Sequence, residues 1–390
     1  SGSGMNDWLG CLRKSALYEP WRRLREWQQC SRMEAFLGEA PSTPAGSYSA
    51  ARLSLLSRCS VRRRLDATSA IVAFGTNAWE QWGLWPAFQR RGAFHLFDYR
   101  RTLGAHPRGT ATVRERLGRE LLSYVEDLER RSGPVGLVFI YAAGTYVDPQ
   151  AIRELAARGI WTVLLSLDDK QQMPPPGHGR VGTEQLDVAT EVDLYWTTWR
   201  AGADWLSKRG ARPWYAPEAA DPSVFAPRNL KRDIAVLWLG RAYGPRAALV
   251  HWLMDRGIAV QAFGEGWPAG RVPLDEMISL ISRAEIVLGM GGVGQTDKIK
   301  HLKGRDFEVP MCGAAYVTSF NPELTDSYVI GSEVACYSSR EECAETIRYL
   351  SGRPDLLERM RRAARARCVS DHTWDARINQ LLALLSASPE

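Results

Sequence analysis

The sequence predicts an α/β protein built from two doubly wound parallel sheets. Its 390 residues exceed the usual size of one domain, and 45% of them are apolar, enough to build a core in each half. Short apolar segments alternate with helical patterns, which is the order of βαβ units. The alternation stops in a proline-rich segment at 216–229 and then restarts, so we expect two domains joined by a linker.

The first half contains five candidate strands. They are nearly continuous in apolar residues, which is typical of parallel strands covered by helices on both faces. The helix expected at 148–159 has Pro149 near its start and Gly159 at its end, the usual asymmetry of helix termini. The expected strands are 69–74, 93–99, 135–141, 160–167 and 192–199, with a helical stretch ending at Arg91 and helices at about 112–131 and 148–159.

The second half repeats the pattern. Ser339 precedes "REECAETIRYL" as a helix cap would, so a helix is expected to start there. The segment 308–319 is expected to give a helical turn and then a strand. The other expected strands are 234–240, 258–264, 284–292 and 333–339, and the other expected helices are 245–255, 274–283, 354–367 and 373–385.

These patterns divide the chain into five parts. We assign 5–66 to a helical N-terminal extension, 67–215 to the first domain, 216–233 to the linker, 234–370 to the second domain and 371–390 to a C-terminal helix. The extension carries Trp8, Trp21 and Trp27, which could form an apolar stripe. We expect the stripe to pack on the body of the protein, and the alternative is a basic amphipathic surface that meets a membrane or an acceptor.

Composition restricts the partners and the compartment. Fifty Lys and Arg against 44 Asp and Glu give a net charge of +6, which suits an anionic small ligand or a weak membrane-surface contact and does not require nucleic acid. The sequence has no run of about 18 apolar residues, so no membrane span is predicted. The seven cysteines are scattered without a CxxC pair, so we expect neither a zinc site nor disulfides, and a cytoplasmic location.

Three glycine-bearing turns follow strands of the second half. They read "GRAYGPR", "GEGWP" and "GMGGVG". Glycine lets a ligand approach the backbone, and the N-termini of the following helices attract anions. None is a Walker or GxGxxG motif, and each alone could be an ordinary turn. The candidate ligand-binding residues are Gly240, Arg241, Arg246, Gly264, Gly266, Trp267, Gly291 and Gly292.

The segment "KGRDFEVPMCGAAYV" adds a basic pair and an isolated acid. Lys303 and Arg305 are expected to bind phosphate oxygens, because arginine and lysine supply charge for them. A carboxylate in contact with phosphate would be repelled, so Glu308 is better suited to accept hydrogen bonds from ribose hydroxyls. The alternative is that Glu308 only favours the N-terminal end of a helix dipole.

Several motifs together resemble the CgeB-type spore maturation glycosyltransferases of the GT-B clan. They are "YAPEAADPSVFAP", "FGEGWP", "KGRDFEVPMCGAAYVTS" and the C-terminal "SREECAETIRYL" region, and the similarity extends over roughly 69–385. The resemblance implies an acceptor domain at 67–215, a nucleotide-sugar donor domain at 234–370 and a C-terminal helix that crosses back. It also implies that Arg241 belongs to the donor site and that Glu308 is the second, ribose-binding glutamate of a Glu-x7-Glu motif. Seven residues earlier, where a glutamate is expected, the chain has His301.

The catalytic group is left open by the sequence. The resemblance to family 4 enzymes implies a retaining transfer without a protein base or a metal, whereas an inverting transfer would need a base. Candidates at strand ends of the first domain are His95, Asp98 and the pair Asp168-Asp169, with a core histidine, surface turn acids and a metal-binding pair as the alternatives. The tryptophans Trp79, Trp82 and Trp85 could stack on an acceptor or pack internally.

The sequence thus predicts a cytoplasmic hexosyltransferase-type enzyme. The donor is expected to be a nucleotide-diphosphate sugar, with no further cofactor and no metal. The acceptor is undefined and could be a small molecule, a glycan or a peptide, while nucleic acid is not expected. The alternatives are a nucleotide-sugar epimerase of the same architecture and a GT-B protein that binds without catalysis.

Overall fold

A computed structural model describes residues 61–66, 68–104, 109–172, 183–293, 297 and 299–386. Nearly all of the predicted N-terminal extension, with its three tryptophans, lies outside the described residues, as do the expected loop at 174–177, Gly294 and the last four residues. None of the helices in these ranges combines the length and the apolar character needed to span a bilayer.

The first domain is a six-stranded parallel sheet with the strand order β2-β1-β3-β4-β5-β6. Its strands are β1 Ala70–Gly75, β2 Phe94–Asp98, β3 Val135–Ile140, β4 Trp161–Ser166, β5 Leu194–Thr197 and β6 Pro213–Tyr215. Its helices are α1 Leu84–Gln89, α2 Tyr99–Leu103, α3 Ala111–Ser132, α4 Pro149–Ala157, α5 Asp169–Gln172, α6 Thr183–Glu191 and α7 Gly202–Ser207, with short 3-10 turns at Trp79–Trp82 and Gly144–Tyr146.

The second domain is a five-stranded parallel sheet with the order β11-β10-β9-β7-β8. Its strands are β7 Ile234–Leu239, β8 Val260–Phe263, β9 Ala284–Leu288, β10 Ala315–Ser319 and β11 Ala335–Tyr337. Its helices are α8 Gly244–Met254, α9 Leu274–Arg283, α10 Arg305–Met311, α11 Arg340–Ser351 and α12 Pro354–Asp371, followed by α13 Trp374–Ser386, and a 3-10 turn lies at Pro322–Asp326. The predicted pair of doubly wound parallel sheets is confirmed.

Side-chain caps fix where several helices begin. Asp148 accepts a hydrogen bond from the backbone N–H of Gln150 at the start of α4, where Pro149 occupies the first turn. Ser339 accepts one from the N–H of Glu342 at the start of α11, as predicted. These caps place the start of each helix close to the carboxyl end of the strand before it.

Helix α13 belongs to the first domain although it follows the second in sequence. Its buried residues Trp374, Ile378, Leu381 and Leu385 lie in one apolar cluster with Phe139 and other first-sheet residues. The chain therefore crosses between the domains twice, at 216–233 and at 371–374. The two crossings lie side by side, since Ala220 N donates to His372 O at 3.1 Å and Trp374 N donates to Ala220 O at 3.4 Å.

Candidate functional site

A cavity of about 380 Å³ lies between the two domains. It opens at the carboxyl ends of β7 and β9, where neighbouring connections of the second sheet run to opposite faces, the position at which doubly wound sheets bind ligands. First-domain residues Trp79, Trp82 and Leu167 close the opposite side. The second-domain side presents Gly240, Arg241, Arg246, Gly289, Met290, Lys303, Gly304, Arg305 and Glu308.

Four cationic side chains line this cavity, and their partners hold some of them in place. The guanidinium of Arg246 lies 4.7 Å from the ring centre of Tyr243 and donates to the carbonyl of Gly292 at 3.1 Å. Arg241 is largely exposed and donates to Glu265 at 2.7 Å. Lys303 Nζ lies 3.7 Å from Asp168 Oδ1 of the first domain. The wall therefore carries several cationic groups that suit an anionic ligand, although carboxylates lie beside most of them.

Arg305 and Glu308 form a pair in the first turn of α10. A guanidinium N–H of Arg305 donates to a carboxylate oxygen of Glu308. The Nε of Arg305 is buried and has no acceptor among the described residues. Because a buried donor without an acceptor is unfavourable, this N–H is available to an oxygen of a bound molecule.

Glu218 also lines the cavity, although the sequence assigned it only to a linker. A side chain at Gly304 would meet Glu218 Oε2 at 3.2 Å and Glu308 Oε1 at 3.3 Å, so the two carboxyl groups flank this glycine. Burial raises the pKa of Glu218 to about 8; the charge of Lys303 opposes that shift and the charge of Asp168 adds to it. Glu218 is thus predominantly a neutral acid at pH 7.

Three comparisons bear on this architecture. A family model described as glycosyl transferase-like matches residues 245–383. Sucrose-phosphate synthase from Thermosynechococcus elongatus superimposes with a TM-score of 0.56 at 15% identity, over 81% of this chain and 99% of that one. HepE from Anabaena, solved with UDP, gives a TM-score of 0.54 at 11% identity over 80% and 99%. No curated protein matches the sequence at a significant level.

The fold is GT-B. An α-glucosyltransferase solved with UDP-glucose and DNA containing an abasic site shares it, with a TM-score of 0.50 at 12% identity over 82% of this chain and 99% of that one. At these identities the likeness establishes the architecture alone. The cationic wall lies on the second, C-terminal sheet, and three of its four cations, Arg246, Lys303 and Arg305, fall within the residues that the family model matches.

In this GT-B protein, the predicted turns that begin at Gly240 and at Gly264 pack against each other beside the cavity. The Nε1–H of the buried Trp267 donates to Gly240 O at 2.8 Å. Gly264 has φ +134°, and a Cβ there would lie 2.3 Å from Gly240 O, so only glycine fits against that loop. Gly266, Gly291 and Gly292 are likewise absent from the cavity lining. We expected all five residues to contact the ligand, and none of them is among the residues that line this cavity.

His301 occupies the domain interface. It is fully buried, and its Nε2 contacts the carbonyl of Leu167 and lies 3.1 Å from Thr198 Oγ1, both in the first domain. Burial, with the charges of Lys303 and Lys170, lowers its pKa well below the ordinary range, so the imidazole is neutral. We expected His301 to bind the donor, and it is not among the residues that line the cavity. A Glu-x7-Glu motif has seven residues between its two glutamates. If Glu308 is the second glutamate, the first position is therefore 300, which Lys300 occupies.

Of the predicted catalytic candidates, Asp168 lines a second cavity described below, whereas His95 and Asp98 line neither that cavity nor the first. Asp98 instead caps α2, accepting from Arg100 N at 3.1 Å and Arg101 N at 3.3 Å. His95 lies inside β2, an edge strand, in register with Val72. Neither lines the cleft, because the carboxyl of Asp98 turns back onto its own helix and His95 lies before the end of its strand.

The side chains of Asp168 and Asp169 have different surroundings although the two residues are adjacent in sequence. Asp169 is fully buried and accepts hydrogen bonds from Tyr195 OH at 2.5 Å and from the hydroxyl of Thr197. Burial raises its pKa to about 6. Asp169 therefore lies among buried hydroxyl groups, whereas Asp168 lies beside Lys303. Within the ranges that the structure describes, no three His, Cys, Asp or Glu side chains are grouped as metal ligands would be.

A second cavity of about 290 Å³ adjoins the first on the side of the first sheet. Asp168 lines it together with Tyr99, Tyr141 and Tyr146, and Trp79 and Leu167 line both cavities. Of the clustered tryptophans, Trp79 and Trp82 face the cleft, whereas Trp85 is buried and donates to Thr76 O at 2.8 Å. The aromatic side chains of this cavity suit a molecule that stacks on them and that places its own hydroxyl groups near Asp168.

Proposed function

We propose that this protein is a glycosyltransferase of the CgeB type that uses a nucleotide-diphosphate sugar as its donor. The observation that carries the proposal is the convergence of Arg246, Lys303, Arg305 and Glu308 on one cavity at the switch point of the second sheet. Cationic groups suit the diphosphate, and Glu308, in the first turn of α10, suits the ribose hydroxyls. No cofactor besides the donor is needed in this scheme.

The donor base and sugar are proposed by analogy. HepE was solved with UDP and, in a further structure, with UDP-glucose, and the α-glucosyltransferase was solved with UDP-glucose. A hexose linked to UDP is therefore the first donor to test. The acceptor is proposed to enter from the second cavity, and nucleic acid belongs among the acceptors tested because the α-glucosyltransferase was solved with DNA.

We propose a retaining transfer that needs no divalent metal. In this scheme the acceptor oxygen bonds to the anomeric carbon as the bond from that carbon to the diphosphate oxygen breaks. The proton of the acceptor hydroxyl passes to the leaving phosphate, so no protein base is required. Arg246, Lys303 and Arg305 would stabilise the charge of the leaving diphosphate.

The free thiols of Cys312, Cys336, Cys343 and Cys368 support a cytoplasmic location.

The proposal is tested by a thermal-shift screen with UDP, GDP, ADP and CDP, followed by calorimetry on the best ligand. A ligand that binds the folded state raises the melting temperature. Arg305→Ala should weaken binding by roughly 1.5–3 kcal/mol, the range for hydrogen bonds to charged groups. Arg116→Ala, on the exposed face of α3, is the matched control and should leave affinity unchanged. Unchanged affinity in Arg305→Ala would contradict the assignment.

Incubation with nucleotide sugars separates the alternatives. A transferase is expected to release the sugar slowly by hydrolysis and faster when the acceptor is present. An epimerase would return an isomeric nucleotide sugar, and a protein that only binds would leave the donor intact. Either of these last two results would overturn the proposed transfer.

A further inference from the structure

Among the acids around the cleft, Glu218 has no partner. Glu308 is bonded to Arg305, Asp168 lies beside Lys303, and Asp306 accepts from Tyr316 OH at 2.9 Å. No hydrogen bond or ion pair joins the Glu218 side chain to another residue in the described part of the chain. The group is half-buried and lines the cavity, so its carboxyl is open to a ligand that enters there.

The backbone around Glu218 is held firmly. The carbonyl of the preceding Pro217 accepts from Arg377 Nε at 3.1 Å, and Arg377 is itself buried on α13. Ala220 is bonded to the second crossing through His372 and Trp374. The carboxyl of Glu218 is therefore presented to the cavity from a fixed position, which is what a ligand-binding group requires.

The charges that surround Glu218 are mostly negative. The positive charge of Lys303 acts on Glu218, whereas Arg377 donates to the neighbouring carbonyl of Pro217. A second ionised carboxylate beside Glu308 would repel a diphosphate, whereas a protonated one can donate a hydrogen bond. The titratable groups facing Glu218 are Tyr141 at the end of β3, Asp168 at the end of β4, and Lys303, Asp306 and Glu308 at the start of α10.

We propose that Glu218 is a donor-site residue that binds as a neutral acid, donating its O–H to an oxygen of the bound nucleotide sugar, while Glu308 beside it accepts. The two acids then have opposite roles across Gly304. This inference rests on the proposed function, since it requires that a nucleotide diphosphate binds in the cleft. The oxygen belongs either to the diphosphate or to the sugar, and both offer the same acceptor chemistry.

The raised pKa of Glu218, about 8, makes the proposal testable by pH. Asp306, with a pKa raised to about 6 by burial, titrates below pH 7, and burial raises the pKa of Tyr141 above its ordinary value, so neither changes charge between pH 7 and 9. If binding requires protonated Glu218, the affinity falls above pH 8 and approaches a tenfold loss per pH unit.

The test measures the affinity of UDP and of UDP-glucose by calorimetry between pH 7 and 9. The proteins are wild type, Glu218→Gln, Glu218→Ala and the control Glu341→Gln on the exposed start of α11. At pH 7 the glutamine variant, which keeps a neutral donor, should bind within about twofold of wild type and stay constant with pH. The alanine variant should lose about tenfold, as a hydrogen bond to a charged group implies. The control should follow wild type.

An effect seen with UDP assigns the O–H to the diphosphate, and one seen only with UDP-glucose assigns it to the sugar. Equal losses in the glutamine and alanine variants, or a wild-type affinity independent of pH, would overturn the role of Glu218 while leaving the proposed function intact. If wild type bound none of the four nucleoside diphosphates of the screen, the proposed function would be wrong and the role of Glu218 with it. Circular dichroism of the glutamine variant checks that it is folded.

Discussion

Lys170 Nζ lies 3.1 Å from Glu323 Oε2, and this ion pair joins the first domain to the second. Both side chains are about 10% exposed. The ammonium also donates to Lys300 O at 2.5 Å, and Glu323 accepts from Arg200 N at 3.0 Å. Burial lowers the pKa of Lys170, and the charge of Glu323 counteracts that shift, so each group depends on the other.

Removing only the lysine should be more harmful than removing both partners. Lys170→Met leaves Glu323 as a buried charge, and we expect a loss of about 3 kcal/mol in the free energy of unfolding. The double variant Lys170→Met with Glu323→Met replaces the pair by apolar groups and should be clearly more stable than the single one. Urea denaturation of both variants measures this, and a double variant no more stable than Lys170→Met would contradict it.

Asp169 is expected to be structural. Asp169→Asn places an amide NH2 against one of two hydroxyl donors, so a loss of roughly 1–3 kcal/mol in stability is expected, with nucleotide affinity unchanged. Asp168→Asn, on a half-exposed side chain, is the paired control and should barely change the melting temperature. Retained stability with lost activity in Asp169→Asn would instead indicate a role in the chemistry.

Variants of Glu308 distinguish two explanations of its position, ribose binding and stabilisation of the start of α10. If it accepts from ribose, Glu308→Ala should weaken nucleotide binding by about 1.5–3 kcal/mol, and Glu308→Gln, which keeps one acceptor, should weaken it less. If it only favours the start of α10, both variants should melt at lower temperature with affinity intact. Calorimetry and thermal melting of the same two variants decide between these outcomes.

Stability should depend on pH through Glu218. Its pKa rises from 4.5 in the unfolded chain to about 8 in the folded one, so between these values the folded state binds more protons. The free energy of unfolding contributed by this group is therefore greatest below pH 4.5 and is lost as pH rises toward 8. Glu218→Gln should flatten this part of the curve and raise the melting temperature at pH 8. Parallel curves for the variant and wild type would show that the group is ionised in the folded protein.

Metal removal should leave the reaction unaffected. In the proposed scheme Arg246, Lys303 and Arg305, which line the cavity, stabilise the leaving diphosphate without a metal ion. Release of sugar from UDP-glucose should proceed at the same rate in EDTA as with added magnesium. Activity that is lost in EDTA and restored by magnesium or manganese would require Asp168 to be reconsidered as a ligand.

Sequence periodicity predicted most of the fold because parallel strands and long helices carry strong local signals. It missed β6, whose first residue is Pro213, since proline argues against a strand and is tolerated here only at the edge of the sheet. The Ser339 cap of α11 and the proline in the first turn of α4 were predicted correctly because both are signals between near neighbours in sequence.

The site was harder to predict, since it depends on which residues of one domain face the other. Lys303, Arg305 and Glu308 could be predicted to lie together because they occupy one loop and the start of one helix, and all three line the cavity. Glu218 was missed because it lies in a segment without helix or strand, and its position becomes meaningful only when Gly304 is placed beside it. His301 was misplaced because its contacts, Leu167 and Thr198, are more than a hundred residues away.

The return of α13 to the first sheet has a consequence for synthesis of the chain. The apolar face that covers Phe139 and its neighbours includes Trp374, Ile378 and Leu381, and these residues leave the ribosome only after the whole second domain. Domains usually fold in the order of their synthesis. The first domain therefore cannot complete its core until the second has been made, and the nascent chain leaves this apolar face uncovered while the second domain is synthesised.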